Sequence, residues 1–174
     1  ESFLGTYVLM EKIKRDKNRV AISKNKEEDI SGGYILKIDK PTGDGEWYDE
    51  SFSFSSKYTP SGILGQNKNT FFLYEYPDAD DIDNDQKEYI QNYIHDFENA
   101  LASEEFNSEE TGYKNYIDLE SFIDFFILHE ISKNPDGLRL STFMHKDKGE
   151  KLKMGPIWDF NLAFGNVNYC TGSS

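Results

Sequence analysis

Met154-Gly155-Pro156-Ile157-Trp158-Asp159-Phe160-Asn161-Leu162-Ala163-Phe164-Gly165-Asn166 decides the reading of this chain, together with the earlier turn Asn134-Pro135-Asp136-Gly137. Asp136 and Asp159 stand 23 positions apart. Each follows an apolar segment and lies at or near a turn. A long apolar helix is expected to lead into Asp136, and a strand-like run from Lys151 to Trp158 into Asp159. Two carboxylates delivered to one cleft by different elements suit phosphoryl transfer. One accepts the proton of an attacking hydroxyl while the other holds the metal on the nucleotide phosphates. Taken alone, Asn-Pro-Asp-Gly is also an ordinary turn.

Working outward, the first quarter reads as β. Residues 6–13 are rich in β-formers. Residues 14–18 form a charged turn, and 19–30 are polar, a loop or a helical turn. Gly32-Gly33 punctuates, and Tyr34-Ile35-Leu36-Lys37-Ile38 reads as a strand. Ser51-Phe52-Ser53-Phe54-Ser55 alternates with period two, and 70–76 is a further strand ended by Pro77. The period then changes. Tyr89, Ile90, Tyr93, Ile94, Phe97 and Leu101 predict an amphipathic helix over 84–103. Asp118 is the expected N-cap of a second helix running to Ser132. Its apolar residues surround most of its circumference, which predicts a place in the middle of a helical lobe. Residues 139–146 and 151–157 read as a hairpin around Lys146-Asp147-Lys148-Gly149. The order is strands, helices, hairpin: an α+β domain with a lobe boundary near Pro77.

The chain has 174 residues, the size of one domain, and its 11 Tyr and 13 Phe favour a packed core. The formal net charge of −13 argues against non-specific binding to nucleic acid or anionic membrane, and disfavours docking of an acidic polypeptide. A nucleotide remains compatible, because a metal ion masks its phosphates. Cys170 is the single cysteine, so no intramolecular disulfide forms. No apolar run approaches a transmembrane length.

Other constellations read as structural. In the acidic run at 78–85, taking Asp81 as the first position of a calcium loop puts Gln86 where glycine belongs and Asn92 where glutamate belongs. A helix follows at once, so the run is expected to cap it and bind no ion. His95, His129 and His145 lack zinc-ligand spacing, and His129 is expected to be a hydrogen-bonded core residue. No phosphate-binding loop or hydrolase elbow is present. Lys37 closes an apolar strand after a glycine turn. It is either a phosphate-gripping lysine, with Glu11 as a possible ion partner, or a solvent-facing strand residue.

Gly155 through Asn166 resembles the signature of the CotH family of spore-coat-type atypical protein kinases. It is most similar to cell-surface copies from gut Bacteroidetes, and the resemblance runs from about Gly5 through Asn166. It implies a protein-kinase-like, two-lobed fold: residues 1–77 a β-rich N-lobe, 78–174 a helical C-lobe carrying the metal-site hairpin, with pieces expected beyond both ends. It implies transfer of the γ-phosphoryl group of ATP to a protein serine or threonine, with Mg²⁺ or Mn²⁺. The catalytic aspartate maps onto Asp136 and the metal-binding aspartate onto Asp159, with Asn161 beside it. Lys37, Glu11 and Arg139 are the nucleotide-side candidates, although Arg139 also suits a local ion pair. The resemblance further implies a cell-surface or extracytoplasmic location, with attachment through a preceding segment. Two departures stand out. The position five after the catalytic aspartate, an asparagine in ordinary kinases, is Ser141. Asn161 stands where some family members carry a second aspartate. Both leave open one metal instead of two, or a catalytically silent binding or structural module.

Overall fold

The computed structural model describes residues 5, 9–26, 28–40, 48–58 and 69–168. Five strands form one antiparallel sheet: β1 (Tyr34–Ile38), β2 (Ser53–Ser55), β3 (Phe71–Tyr76), β4 (Thr142–Lys146) and β5 (Lys153–Met154), in the order β2-β3-β1-β4-β5. Two α-helices, α1 (Asn84–Ala102) and α2 (Leu119–Ser132), complete the α+β domain, with a short 3₁₀ turn at Tyr113–Asn115 between them.

Period two sorts the central strand β1 between two cores. Tyr34 and Leu36 point to one face and pack with Phe54, Phe72, Tyr74 and Met144 against Ile90 and Ile94 of α1. Ile35 points to the other face, into a cluster with Phe143, Ile13, Val20 and Ile22, against which Trp158 packs. Lys37 lies directly opposite Phe143 in the β1–β4 register, so it shares this second face.

That second cluster explains a departure from expectation. Residues 9–13 form no strand; Leu9 and Met10 are exposed, and residues 6–8 lie outside the described residues. The segment runs as a strap whose Ile13, Val20 and Ile22 are buried on the sheet. The Asp147 carboxylate pins it by accepting from the Ser23 amide at 2.8 Å. Burial of three spaced aliphatics, rather than a hydrogen-bonded ladder, holds this segment in place.

The hairpin assigned to a helical second lobe belongs to the sheet, because β4 pairs with β1 along its whole length, from Tyr34 opposite Lys146 to Ile38 opposite Thr142. Such pairing satisfies the backbone groups of β1 on both sides and leaves β1 central.

Both helix starts follow the sequence. Asp83 caps α1: its carboxylate accepts from the Gln86 amide at 2.9 Å, while the Gln86 side chain accepts from the Asp83 amide at 3.0 Å. Upstream, Asp78 accepts from the Asp80 and Asp81 amides, so the acidic run organises the entry to the helix. Asp118 caps α2 through the Ser121 amide at 3.0 Å. The placement of α2 differs from expectation. Only Phe125, His129 and Ser132 are buried, and Ile123, Phe126, Ile127, Leu128 and Ile131 are exposed. Its described neighbours touch one side only, through Phe122 against Phe97 and Ser121 Oγ accepting from the Met154 amide at 3.1 Å.

Candidate active site

α2 ends at Lys133, which adopts a left-handed conformation (φ 48°) and turns the chain into Asn134. The Asn134 amide donates back to the His129 carbonyl at 3.1 Å. Its side-chain oxygen accepts from the Asp136 amide at 3.2 Å, an Asx-type turn that aims the Asp136 side chain. The Asp136 carbonyl then accepts from the Arg139 and Leu140 amides at 3.0 and 2.8 Å. Asp136 is therefore held by its own loop before any ligand arrives.

The second aspartate is held by the first loop. Asn134 Nδ2 donates to the Asp159 carbonyl at 3.4 Å, and Ser141 Oγ donates to Asp159 Oδ2 at 3.3 Å. The structure thus ties the two aspartate turns to each other. Ser141 and Asp159 both adopt the left-handed region, at φ 51° and 61°. For non-glycine residues this costs of order 1–3 kcal/mol each and gathers at functional sites. Ser141 is buried, whereas Asp159 is exposed. After Asp159 the turn closes locally: the Phe164 amide donates to the Ser132 carbonyl at the end of α2 at 2.6 Å, and Asn166 Nδ2 donates to the Asn161 carbonyl at 2.7 Å.

Arg139 pairs with a local acid, and that acid is Asp136: Nη2 lies 2.5 Å from Oδ1. Asp136 Oδ2 carries no hydrogen bond among the described residues. Lys37 is not a free solvent-facing lysine. Its Nζ lies 2.8 Å from Oε2 of Glu75 on the neighbouring strand, and both side chains are less than one-fifth exposed. Glu11 is thereby corrected as the ion partner: it sits on the strap, largely exposed, 3.7 Å from Arg19. The physical reason is register. Lys37 pairs across β1–β3 with Leu73, and Glu75 two residues further along projects from the same face. Sequence reasoning missed Glu75, yet it left a signal: a lone charge in the aromatic strand Phe71-Phe72-Leu73-Tyr74-Glu75-Tyr76. Lys37 and Glu75 line a cavity of about 420 Å³ with Lys12, Leu73, Asp78 and Asp80. A larger cleft of about 800 Å³ lies between β2 and α1 and contains none of the candidate residues.

Phe160 stacks on His129, and His129 is another residue whose role the sequence did not show. It is buried as expected, but both ring nitrogens lack partners among the described residues, and burial lowers its pKa from the ordinary histidine value.

The oxygens gathered at Asp159 are hard: its own carboxylate and the Ser141 hydroxyl. That set fits Mg²⁺ or Mn²⁺ rather than a soft metal. Among the described residues no three His, Cys, Asp or Glu side chains converge.

The fold and site define an α+β domain in which two turn-borne aspartates are tied to each other and the sheet carries a lysine–glutamate pair. The chain belongs to the CotH family: the family model described as CotH kinase protein matches residues 2–174. Searches of curated proteins and of solved structures found no match.

Proposed function

We propose that this domain is a metal-dependent protein kinase that transfers the γ-phosphoryl group of ATP to a protein serine or threonine. The observation that carries the reading is the Asn134 and Ser141 clamp, which fixes the Asp159 turn on the Asp136 turn. Family membership supports the reaction class.

In this mechanism Asp136 Oδ1 is held by Arg139, and Oδ2 receives the proton of the acceptor hydroxyl. The hydroxyl oxygen forms its bond to the γ-phosphorus while the bond to the β–γ bridging oxygen breaks, and ADP leaves with that electron pair. Asp159, with Ser141 and Asn161 beside it, would hold Mg²⁺ or Mn²⁺, which neutralises charge on the phosphates. Lys37 grips the α- and β-phosphates, and Glu75 orients it. The kinase-like two-lobed arrangement and the cell-surface location are part of this proposal and rest on the family resemblance. No described helix is long and apolar enough to cross a membrane.

A second reading, a catalytically silent binding or structural module, is favoured by one observation. Ser141 stands where a second metal ligand is expected and donates its hydroxyl hydrogen bond to Asp159. Calorimetry of ATP with and without Mg²⁺, beside phosphate transfer, separates the two. We expect Asp159→Asn to abolish metal-dependent nucleotide binding, and Asp136→Asn to keep binding while losing turnover. Undiminished activity in both variants sinks the assignment. Absence of ATP binding by the intact protein at millimolar nucleotide (on the order of cellular levels) selects the silent module.

A further inference from the structure

His129 touches three parts of the site at once. It lies on α2, is only 2% exposed, and has neither ring nitrogen hydrogen-bonded among the described residues. Its ring stacks on Phe160, the residue after Asp159, at 5.1 Å between centroids and 22° between planes. The Phe125 ring, one helical turn earlier, lies 4.3 Å away between centroids, tilted by 57°. The third neighbour is Gly137, the residue after Asp136. A Cβ placed on Gly137 would lie 1.8 Å from His129 Nδ1 and 2.2 Å from Cε1. Gly137 is outside the left-handed region, so its backbone admits alanine. The three atoms nearest that Cβ position all belong to the His129 ring.

A buried imidazole with unpaired nitrogens costs free energy that a plain aliphatic filler would not. What the imidazole supplies is shape. It is flat enough to lie parallel to Phe160 and compact enough to let a backbone close over its edge.

We infer that His129 is a positioning residue, a spacer whose ring sets the distance between the Asp136 turn and the Asp159 turn, and that Gly137 is glycine because that ring is there. The inference deepens the kinase reading and rests on it for its catalytic consequence, but its geometric content stands apart. His129 touches no reacting atom. It acts through Gly137 on one aspartate and through Phe160 on the other.

The test is a steric cycle in the intact protein: Gly137→Ala, His129→Ala and the double variant. Gly137→Ala should push the Asp136 turn away from Asp159, lowering kcat by about a hundredfold, the scale of an ångström-sized misplacement, while the KM for ATP holds. In the double variant the new methyl enters the space the ring vacated, so kcat should rise above that of Gly137→Ala alone. Effects that simply multiply, or an unaffected Gly137→Ala, overturn the inference. A purely structural histidine predicts no such rescue. Hydrogen exchange supplies a readout independent of phosphate transfer. Gly137→Ala should raise exchange at both 134–140 and 159–164, and the double variant should reduce it. Unchanged exchange at 159–164 overturns the inference even if the wild type transfers no phosphate, whereas paired changes in an inactive protein support the spacer and refute only the kinase. If Gly137→Ala fails to fold, folding of the double variant is the rescue, and failure of both overturns it.

Discussion

At the scale of single residues, Lys37 and Glu75 show how a charge becomes useful by being held. Their 2.8 Å contact lies where both side chains are less than one-fifth exposed, so the pair is shielded and its geometry fixed. A lysine oriented in this way makes a charge-assisted hydrogen bond to a phosphate oxygen without first losing its rotamer freedom. Lys37→Met should therefore weaken ATP binding by about 1.5–3 kcal/mol, the worth of one such bond. Glu75→Gln should weaken it too, while Glu11→Gln, out on the strap, should leave it unchanged. Titration calorimetry of the three variants checks this, and an effect of Glu11→Gln as large as that of Glu75→Gln would return the pairing to Glu11. The two aspartate turns were legible as turns because they carry particular residues in a particular order. Glu75 was not, because an ion partner across a sheet is set by register, which no local pattern reveals. His129 was legible as buried but not as a spacer, since its neighbours Gly137 and Phe160 lie 8 and 31 positions away in the chain.

Whole elements were easier to read where the signal was local. The starts of α1 and α2 follow from Asp83 and Asp118, whose carboxylates satisfy amides that no carbonyl of their own helix can reach. Strands β1 and β3 follow from short apolar runs bounded by glycine and proline. Residues 9–13 of the strap were misread as a strand because β-formers describe what fits a half-buried surface, not what pairs. The strap's Ile13, Val20 and Ile22 found such a surface without a partner strand. For α1 the cap predicts a number. Asp83→Ala removes the acceptor of the Gln86 amide and leaves the reciprocal half of the capping box without its template. Chemical denaturation should show a loss of about 1 kcal/mol. Added Ca²⁺ should leave the midpoint of the wild type unmoved, since the Asp78 and Asp83 carboxylates are already engaged by backbone amides. A calcium-dependent rise in stability would show that the acidic run is an ion site after all.

Across the whole molecule, the least legible feature was the sheet order. The α+β class follows from the succession of periods, but β4 enters beside β1 after both helices have intervened. Long-range pairing of this kind is decided by which faces can be buried together, and local preference is silent on it. Net charge averages in the same way. The chain is strongly acidic, yet the strap over 9–26 carries seven Lys and Arg against two Asp and Glu. Burial also sets how the molecule responds to acid. His129, in the α2 layer, and His145, on β4, both have pKa values lowered by desolvation. For His145 the Gly155 carbonyl at 3.0 Å and nearby Asp147 and Asp118 pull upward while Lys153 pushes down, and burial wins. Above the unfolded value of 6.5 both states hold these rings neutral, so they add no pH dependence. As pH falls below that value the unfolded chain takes up protons that the folded chain refuses. Stability must then decline until the folded pKa values are reached, by at most about 1.4 kcal/mol per pH unit for each histidine. Asp29, held at about 2 by hydrogen bonds from Ser31, and Asp147, lowered by the Ser23 and Lys148 amides, act in a separate and more acidic window below 3.8. Thermal denaturation followed from about pH 7.5 to pH 5 should therefore show a falling Tm across the histidine window. His145→Asn should flatten that slope by removing one of the two refused protons. A Tm that stays level through pH 6.5 in the wild type would mean that both rings protonate as readily in the folded state as in the unfolded one. That result would contradict the burial of His129 on which the spacer geometry depends.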